Sequence, residues 1–338
     1  MRIEKSWVAV AASLAIVASA ALARGVANPK DDQPMKAAPP KDVPTDPQSK
    51  FLVKLVRRCG TSAPDNHRRS ALRLRTAPFA KANLRAMATG PITVPVYFHV
   101  IQSGATGAVT NDRIAQQIQV LNDDYATRGF KFVLQATTRT DVADPSVNKP
   151  GWFSMATGSS DEIEAKSTLA VDPTRNLNLY TAEPSDPVLG GLLGFSTFPW
   201  ELAGNIKKDG VVILHATLPG GVSPFDKGKT ATHEVGHWLG LYHTFQGGCT
   251  PPGDEVDDTQ EQPDGNNIFQ CDPATNVCPG GDPAKAPIHN FMNYVEDACM
   301  NNFTPGQSDR MKVEVSLYRA LLVHPTTRAN LKTFASAR

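Results

Sequence analysis

The sequence predicts an α+β domain over residues 89–338, with a sheet and helices first and a loop-rich lower part after them. Three observations predict it. Ile92, Val94, Val96, Phe98 and Val100 alternate with other residues, the period of a half-buried strand. Ile114, Ile118, Leu121 and Tyr125 recur at helical spacing immediately afterwards. After His243 the texture changes, and residues 246–290 are dense in Gly, Pro, Asp, Asn and Cys, the composition of crosslinked loops.

In chain order, Thr110 and Asn111 offer an N-cap to the first helix, because a short polar side chain can accept from the open first turn. Phe130 to Leu134 reads as a second strand, Ser160 to Leu169 as a short helix and Leu177 to Tyr180 as a third strand. Leu192 to Ser196 and Val211 to His215 are further strands, and Lys229 to Leu239 is a helix. A last helix carries Met311, Val315, Tyr318 and Leu322 on one side.

The region before residue 89 reads differently. Arg2 and Lys5 precede an apolar run from Trp7 to Leu22 that ends in Ala21-Leu22-Ala23. A charged start, a short apolar stretch and small residues at the cleavage point make 1–23 a signal peptide, cut after Ala23. The protein is therefore expected to be secreted, with no stable membrane insertion of the mature chain. Residues 24–88 read as a prosegment and linker: 24–50 have few large apolar residues, and Lys54 to Arg85 holds nine Lys or Arg against the single acid Asp65. In a secreted chain that basic run reads as solvated and protease-sensitive rather than as a nucleic-acid contact. A net charge of +1, from 34 basic and 33 acidic residues, likewise excludes nothing but a strongly charged partner.

Secretion sets the reading of the five cysteines. Cys249, Cys271, Cys278 and Cys299 cluster, and in an oxidising compartment they make two disulfides with three possible pairings. Cys59 stands apart, upstream in Arg57-Arg58-Cys59-Gly60.

The chemistry lies in His233-Glu234-Val235-Gly236-His237-Trp238-Leu239-Gly240-Leu241-Tyr242-His243, an H-E-x-x-H-x-x-G-x-x-H pattern. On a helix His233 and His237 share one face, so both imidazoles reach one metal. Gly240 ends the helix, and the turn brings in His243 as a third nitrogen ligand. Three protein ligands leave a fourth position for water, as in a catalytic zinc site. Glu234 stands beside the first ligand as general base. The water held by zinc would be acidic near neutral pH, and Glu234 would take its proton as it attacks a peptide carbonyl. His99, His215, His289 and His324 have no partner spacing and read as structural.

With Asn290-Phe291-Met292-Asn293-Tyr294 after it, this pattern resembles a metzincin metallopeptidase and its Met-turn. Thr230-Ala231-Thr232, Thr244-Phe245-Gln246-Gly247-Gly248-Cys249, Pro287-Ile288-His289, Cys299-Met300-Asn301 and Phe303-Thr304-Pro305-Gly306-Gln307 narrow the resemblance to the pappalysin family, ulilysin-like branch, over about Tyr97 to Tyr318. The resemblance implies a twisted five-stranded mixed sheet with helices above a disulfide-stabilised lower subdomain. It implies Met292 as the floor under the zinc ligands and Tyr294 as the donor to the transition state. It also implies the pairs Cys249–Cys278 and Cys271–Cys299, and a basic residue preferred after the scissile bond, with Glu296 and Asp297 near that pocket. Protein or peptide substrates are expected to pair with an edge strand, for which Leu192 to Ser196 is our choice. A non-catalytic secreted binding protein keeping the fold is the alternative, against which an intact Glu234 argues.

Two further expectations concern control and stability. Gly253 to Thr259 clusters oxygen donors in a loop with little core, which suggests calcium on Asp254, Asp258 and Thr259. Cys59 is expected to act as a latency switch, its thiolate taking the open zinc position, with basic neighbours favouring the thiolate.

Overall fold

In the computed structural model, which describes residues 59–86, 90–187 and 190–323, the alternating run becomes β1 (Ile92–Gln102), an inner strand of the sheet. The expected signal peptide, residues 24–58 with the basic pair Arg57-Arg58, and His324 lie outside the described residues. Upstream of β1 stands a helix, α1 (Asn66–Ala86), where we expected a solvated segment. Asp65 Oδ1 accepts from the Arg68 amide at 2.8 Å and starts it, and Arg, Ala and Leu are strong helix formers. Arg69 and Leu72 are buried, so part of the basic run is packed on the domain rather than solvated.

Next come α2 (Asn111–Tyr125), β2 (Phe130–Asp141), α3 (Ser160–Leu169) and β3 (Leu177–Ala182). A small hairpin, β4 (Ser185–Asp186) with β5 (Gly190–Gly191), leads to β6 (Gly194–Ser196), β7 (Val211–Leu214) and α4 (Lys229–Trp238). The last elements are α5 (Pro305–Tyr318) and α6 (Ala320–Val323). The main sheet has five strands in the order β2-β1-β3-β7-β6, mixed because β6 alone is antiparallel to its neighbour. β6 is thus an edge strand. Thr110 caps α2 as expected, its Oγ1 accepting from the Arg113 amide at 3.3 Å.

Beneath the sheet, Ile114, Ile118, Leu121 and Tyr125 of α2 meet Val94, Val96 and Phe98 of β1 and Val235 and Trp238 of α4 in one core. α2 also fixes α4 by polar contacts. The Tyr125 hydroxyl donates to the Thr232 carbonyl at 2.8 Å, and Asp124 pairs with Lys229 at 2.7 Å and accepts from the Thr232 hydroxyl at 2.6 Å.

The last helix we expected is two. The chain breaks at Arg319, whose guanidinium turns inward to Asp209 at 2.7 and 3.2 Å and lies 3.9 Å from the Trp238 ring. Both charges are buried, and Trp238 Nε1 donates to the same carboxylate at 3.1 Å. A buried, bidentate pair of this kind is costly to break from one side, so it ties the end of α4 firmly to the C-terminal segment. In the lower part Cys249 is bonded to Cys278 and Cys271 to Cys299, with Cα atoms 5.5 and 6.1 Å apart. Each crosslink closes a loop 29 or 28 residues long. Loops of that length gain roughly 3–4 kcal/mol from a crosslink in the chain-entropy account.

Candidate active site

α4 presents His233 and His237 one turn apart, and the chain leaves the helix at Gly240, held at φ +106°. A side chain at 240 would also strike Glu314, so glycine serves both the turn and the packing. The turn returns His243 to the first two histidines. His237 Nε2 lies 3.2 Å from His233 Nε2 and 3.0 Å from His243 Nε2. All three residues are buried.

The ring nitrogens on the far side decide what this convergence means. His233 Nδ1 faces the Phe291 carbonyl and His237 Nδ1 the Leu241 carbonyl, each at 2.7 Å. A carbonyl only accepts, so both Nδ1 atoms carry the proton and both Nε2 atoms present lone pairs. Lone pairs cannot hydrogen-bond to each other. Their close approach suits a cation between them, and nitrogens at ordinary zinc–nitrogen distance in a tetrahedron stand about 3.3 Å apart. The donor set fits the metal that the pattern implies.

Glu234 is buried beside these rings, and β6 passes against it. A Cβ on Gly194 would lie 2.9 Å from Glu234 Cγ, so only glycine lets the edge strand approach this carboxylate. Met292 is fully buried under α4, and a Cβ on Gly236 would sit 2.3 Å from its sulfur. The glycine inside the motif therefore makes room for the methionine. The Tyr294 ring packs 4.8 Å from His243 and 5.8 Å from His233.

Cys59 lies in the same pocket. Its Sγ and one ligand atom from each of His233, His237 and His243 lie within 4.8 Å of one another, and it is fully buried. The Thr61 amide donates to Sγ at 3.2 Å. Thr61, which no sequence pattern singles out, donates its hydroxyl to Glu234 Oε2 at 3.0 Å. Cys59 Sγ is 3.4 Å from the same oxygen, and the Tyr294 hydroxyl donates to the Cys59 carbonyl at 3.4 Å. Gly60 N donates to the Gly194 carbonyl at 2.8 Å, and Ser196 N to Thr61 Oγ1 at 2.8 Å. One short stretch thus touches the three histidines, the carboxylate, the tyrosine and the edge strand.

The remaining residues stand as follows. Glu296 is exposed. Asp297 is buried, and its Oδ2 accepts from the Lys227 and Lys229 amides at 2.9 and 3.3 Å, which caps the start of α4. Asp254 is buried, while Asp258 is exposed and accepts from the Gly306 amide at 2.8 Å. His99 is buried between Thr138 and Asn178, and burial lowers its pKa. His215 is pushed down to about 4 by burial and by Arg113. His289 Nδ1 faces the Cys299 carbonyl at 2.7 Å.

Comparison with known proteins agrees with this geometry. Residues 191–316 match the peptidase M43 family model, described as pregnancy-associated plasma protein-A. Extracellular metalloprotease 1 of Coccidioides posadasii is 39% identical over 271 residues, 78% of this chain and 91% of the relative. An extracellular metalloprotease of Pyricularia oryzae is 38% identical over 284 residues, 80% of this chain and 93% of the relative. The chain belongs to the M43, or pappalysin, family of zinc metallopeptidases. Among solved structures, a promirolysin mutant from Tannerella forsythia superposes with a TM-score of 0.58 at 28% identity, covering 79% of this chain and 97% of that one. Mature mirolysin with a cleaved peptide gives 0.53 at 29% identity, covering 70% and 99%. These matches make the five-stranded mixed sheet a metzincin sheet.

Proposed function

We propose that this chain is a secreted endopeptidase made as a latent precursor, with 1–23 as signal peptide, 24–88 as prosegment and 89–338 as catalytic domain. The observation that carries the catalytic reading is the convergence of three imidazoles beside the buried carboxylate of Glu234. His233, His237 and His243 would hold zinc, which when bound would supply Lewis acidity to a peptide carbonyl and lower the pKa of a water to about 7. Glu234 takes the proton of the attacking water and passes it to the leaving amine. Tyr294 donates to the oxygen on which charge develops, as its hydroxyl now does to the Cys59 carbonyl. Met292 keeps the histidines in place from below. β6 pairs with an extended peptide through Gly194 and Ser196, whose main-chain groups now serve Gly60 and Thr61.

Latency is supported by where Cys59 lies, with its sulfur among the three histidines. It is supported too by coverage, since the promirolysin chain spans 79% of this chain and mature mirolysin 70%. The extracellular relatives and the apolar start support secretion.

For specificity we infer a basic residue after the scissile bond, read by the exposed Glu296, while Asp297 caps the start of α4. Incubating the activated protein with a peptide library, with and without a chelator, tests both readings. The expected profile shows chelator-sensitive cleavage enriched in Arg or Lys after the cut. Apolar enrichment there sinks the specificity reading, and no cleavage at all favours the non-catalytic binding protein.

Calcium on the 253–259 loop is a further part of this reading. Asp254 Oδ2 and Thr259 Oγ1 are buried side by side, and burial drives the Asp254 carboxyl up to about 8 despite the relief that Thr259 gives it. A hard cation satisfies both oxygens at once. Asp258 Oδ1 and the Val256 carbonyl are the next donors. Calcium is expected to raise the melting temperature of the parent and not of Asp254→Asn, and an equal rise in both would overturn the assignment.

A further inference from the structure

Arg69 occupies a site of its own. It is 5% exposed, although it stands on the outer helix α1. Its Nε donates to Glu255 Oε1 at 3.2 Å, its Nη2 to the Gly253 carbonyl at 2.6 Å, and its guanidinium lies 5.1 Å from the centre of the Tyr242 ring. Two acceptors set for separate nitrogens and an aromatic face match a planar, forked cation and not a point charge.

The receiving groups are built from the catalytic side. Arg310 reaches Glu255 Oε2 at 3.3 Å, donates to the Gly240 carbonyl at 2.8 Å and lies 4.4 Å from the Tyr242 ring. It fixes Glu255 from behind and leaves Oε1 for Arg69. Glu255 is held at φ +65°, a left-handed conformation that a glutamate rarely adopts. One turn further along α1, Leu72 packs with Phe198, Trp200 and Tyr242. The pocket adjoins the metal site: Tyr242 precedes His243, and the Phe198 ring stands edge-on to His237 at 5.4 Å.

We propose that Glu255, the Gly253 carbonyl and the Tyr242 ring form a guanidinium-binding site of the domain, separate from the metal centre. Its ligand is Arg69 of the leader segment. The inference rests on the reading of 24–88 as a prosegment, and it adds a second anchor to the first. The segment is then held at two points, Cys59 and Thr61 on the catalytic groups and Arg69 with Leu72 on their flank. A cut beyond α1 does not by itself free the active site, because the severed segment stays bound through both. The released segment is an inhibitor in trans whose strength depends on its arginine.

The test uses two measurements. In the full-length, zinc-loaded chain carrying Glu234→Ala to prevent self-cleavage, hydrogen exchange is followed over residues 66–72. Arg69→Ala is expected to speed exchange there by about tenfold or more, the lower range for loss of a charge-assisted hydrogen bond. Glu255→Gln should act in the same direction, and Arg69→Lys should restore little, since an ammonium cannot make both contacts. Unchanged exchange in Arg69→Ala overturns the site, whether or not the precursor is latent. In the second measurement, a synthetic peptide of residues 57–76 is titrated against the activated enzyme. Its Arg69→Ala form is expected to inhibit at least about tenfold more weakly, on the same grounds, and equal inhibition overturns the anchor role. Faster exchange in Arg69→Ala with no inhibition by the parent peptide upholds the site and removes the latency reading.

Discussion

Glu234→Ala is expected to remove nearly all peptide hydrolysis while leaving the metal bound and the fold intact. The carboxylate is the group placed to accept a proton from water beside the three histidines, and no imidazole can replace it. His233 and His237 each commit their Nδ1 proton to a backbone carbonyl and their Nε2 to the metal position. Loss of a positioned general base costs roughly 10²–10⁴-fold in rate. The Glu234 side chain is not one of the converging nitrogens, so zinc content should stay at one ion per chain. Folding should survive as well, because α4 is held by contacts that do not involve position 234: Tyr125 to Thr232, Asp124 to Lys229, and Arg319 with Asp209 behind Trp238. The check is kcat/KM on a fluorogenic peptide alongside metal stoichiometry and near-ultraviolet circular dichroism. Substantial activity in a variant with stoichiometric zinc would remove Glu234 from its assigned role.

Which parts of this site could be read from the sequence follows from how far apart their residues lie in the chain. The three histidines are legible because a helix and one glycine turn convert fixed offsets into convergence, with no long-range contact needed. The alternating β1 residues and the apolar face of α2 are legible for the same local reason. Met292 and Tyr294 came from resemblance, since nothing in their own neighbours says that they lie under and beside a metal site. Thr61 was not legible. Its partner Glu234 is 173 residues away, and a lone threonine carries no pattern. The packing of α1 was hidden for a different reason: its buried positions include a charged one, Arg69, so no apolar stripe marks the face that docks. The break at Arg319 was hidden likewise, because an apolar period running from Met311 to Leu322 does not report a guanidinium drawn inward by Asp209. Asp297 shows the converse. Its position after the Met-turn suggested a specificity pocket, and in the structure its Oδ2 serves two backbone amides at the start of α4.

Cys59→Ala is expected to give a full-length chain that cleaves peptides before any processing, by about tenfold or more over the parent. Each tenfold corresponds to about 1.4 kcal/mol of lost preference for the closed state, a small part of what a metal–thiolate bond contributes. The sulfur is placed for that bond. It is fully buried among the histidines, and the Thr61 amide donates to it at 3.2 Å. Substitution removes the sulfur and keeps the neighbouring contacts, Gly60 with Gly194, Thr61 with Glu234 and Arg69 with Glu255. The variant should therefore be leaky rather than fully active, and adding Arg69→Ala should raise activity further by releasing the flank. Thr61→Val in the parent background should have a smaller effect, since the thiolate still holds the metal position. The decisive assay follows hydrolysis of a short peptide by purified precursors, with self-cleavage followed in parallel by mass spectrometry so that activity of the intact chain is separated from that of processed product. A Cys59→Ala precursor as silent as the parent, with zinc bound and the chain intact, would show that the cysteine is not what keeps the enzyme latent.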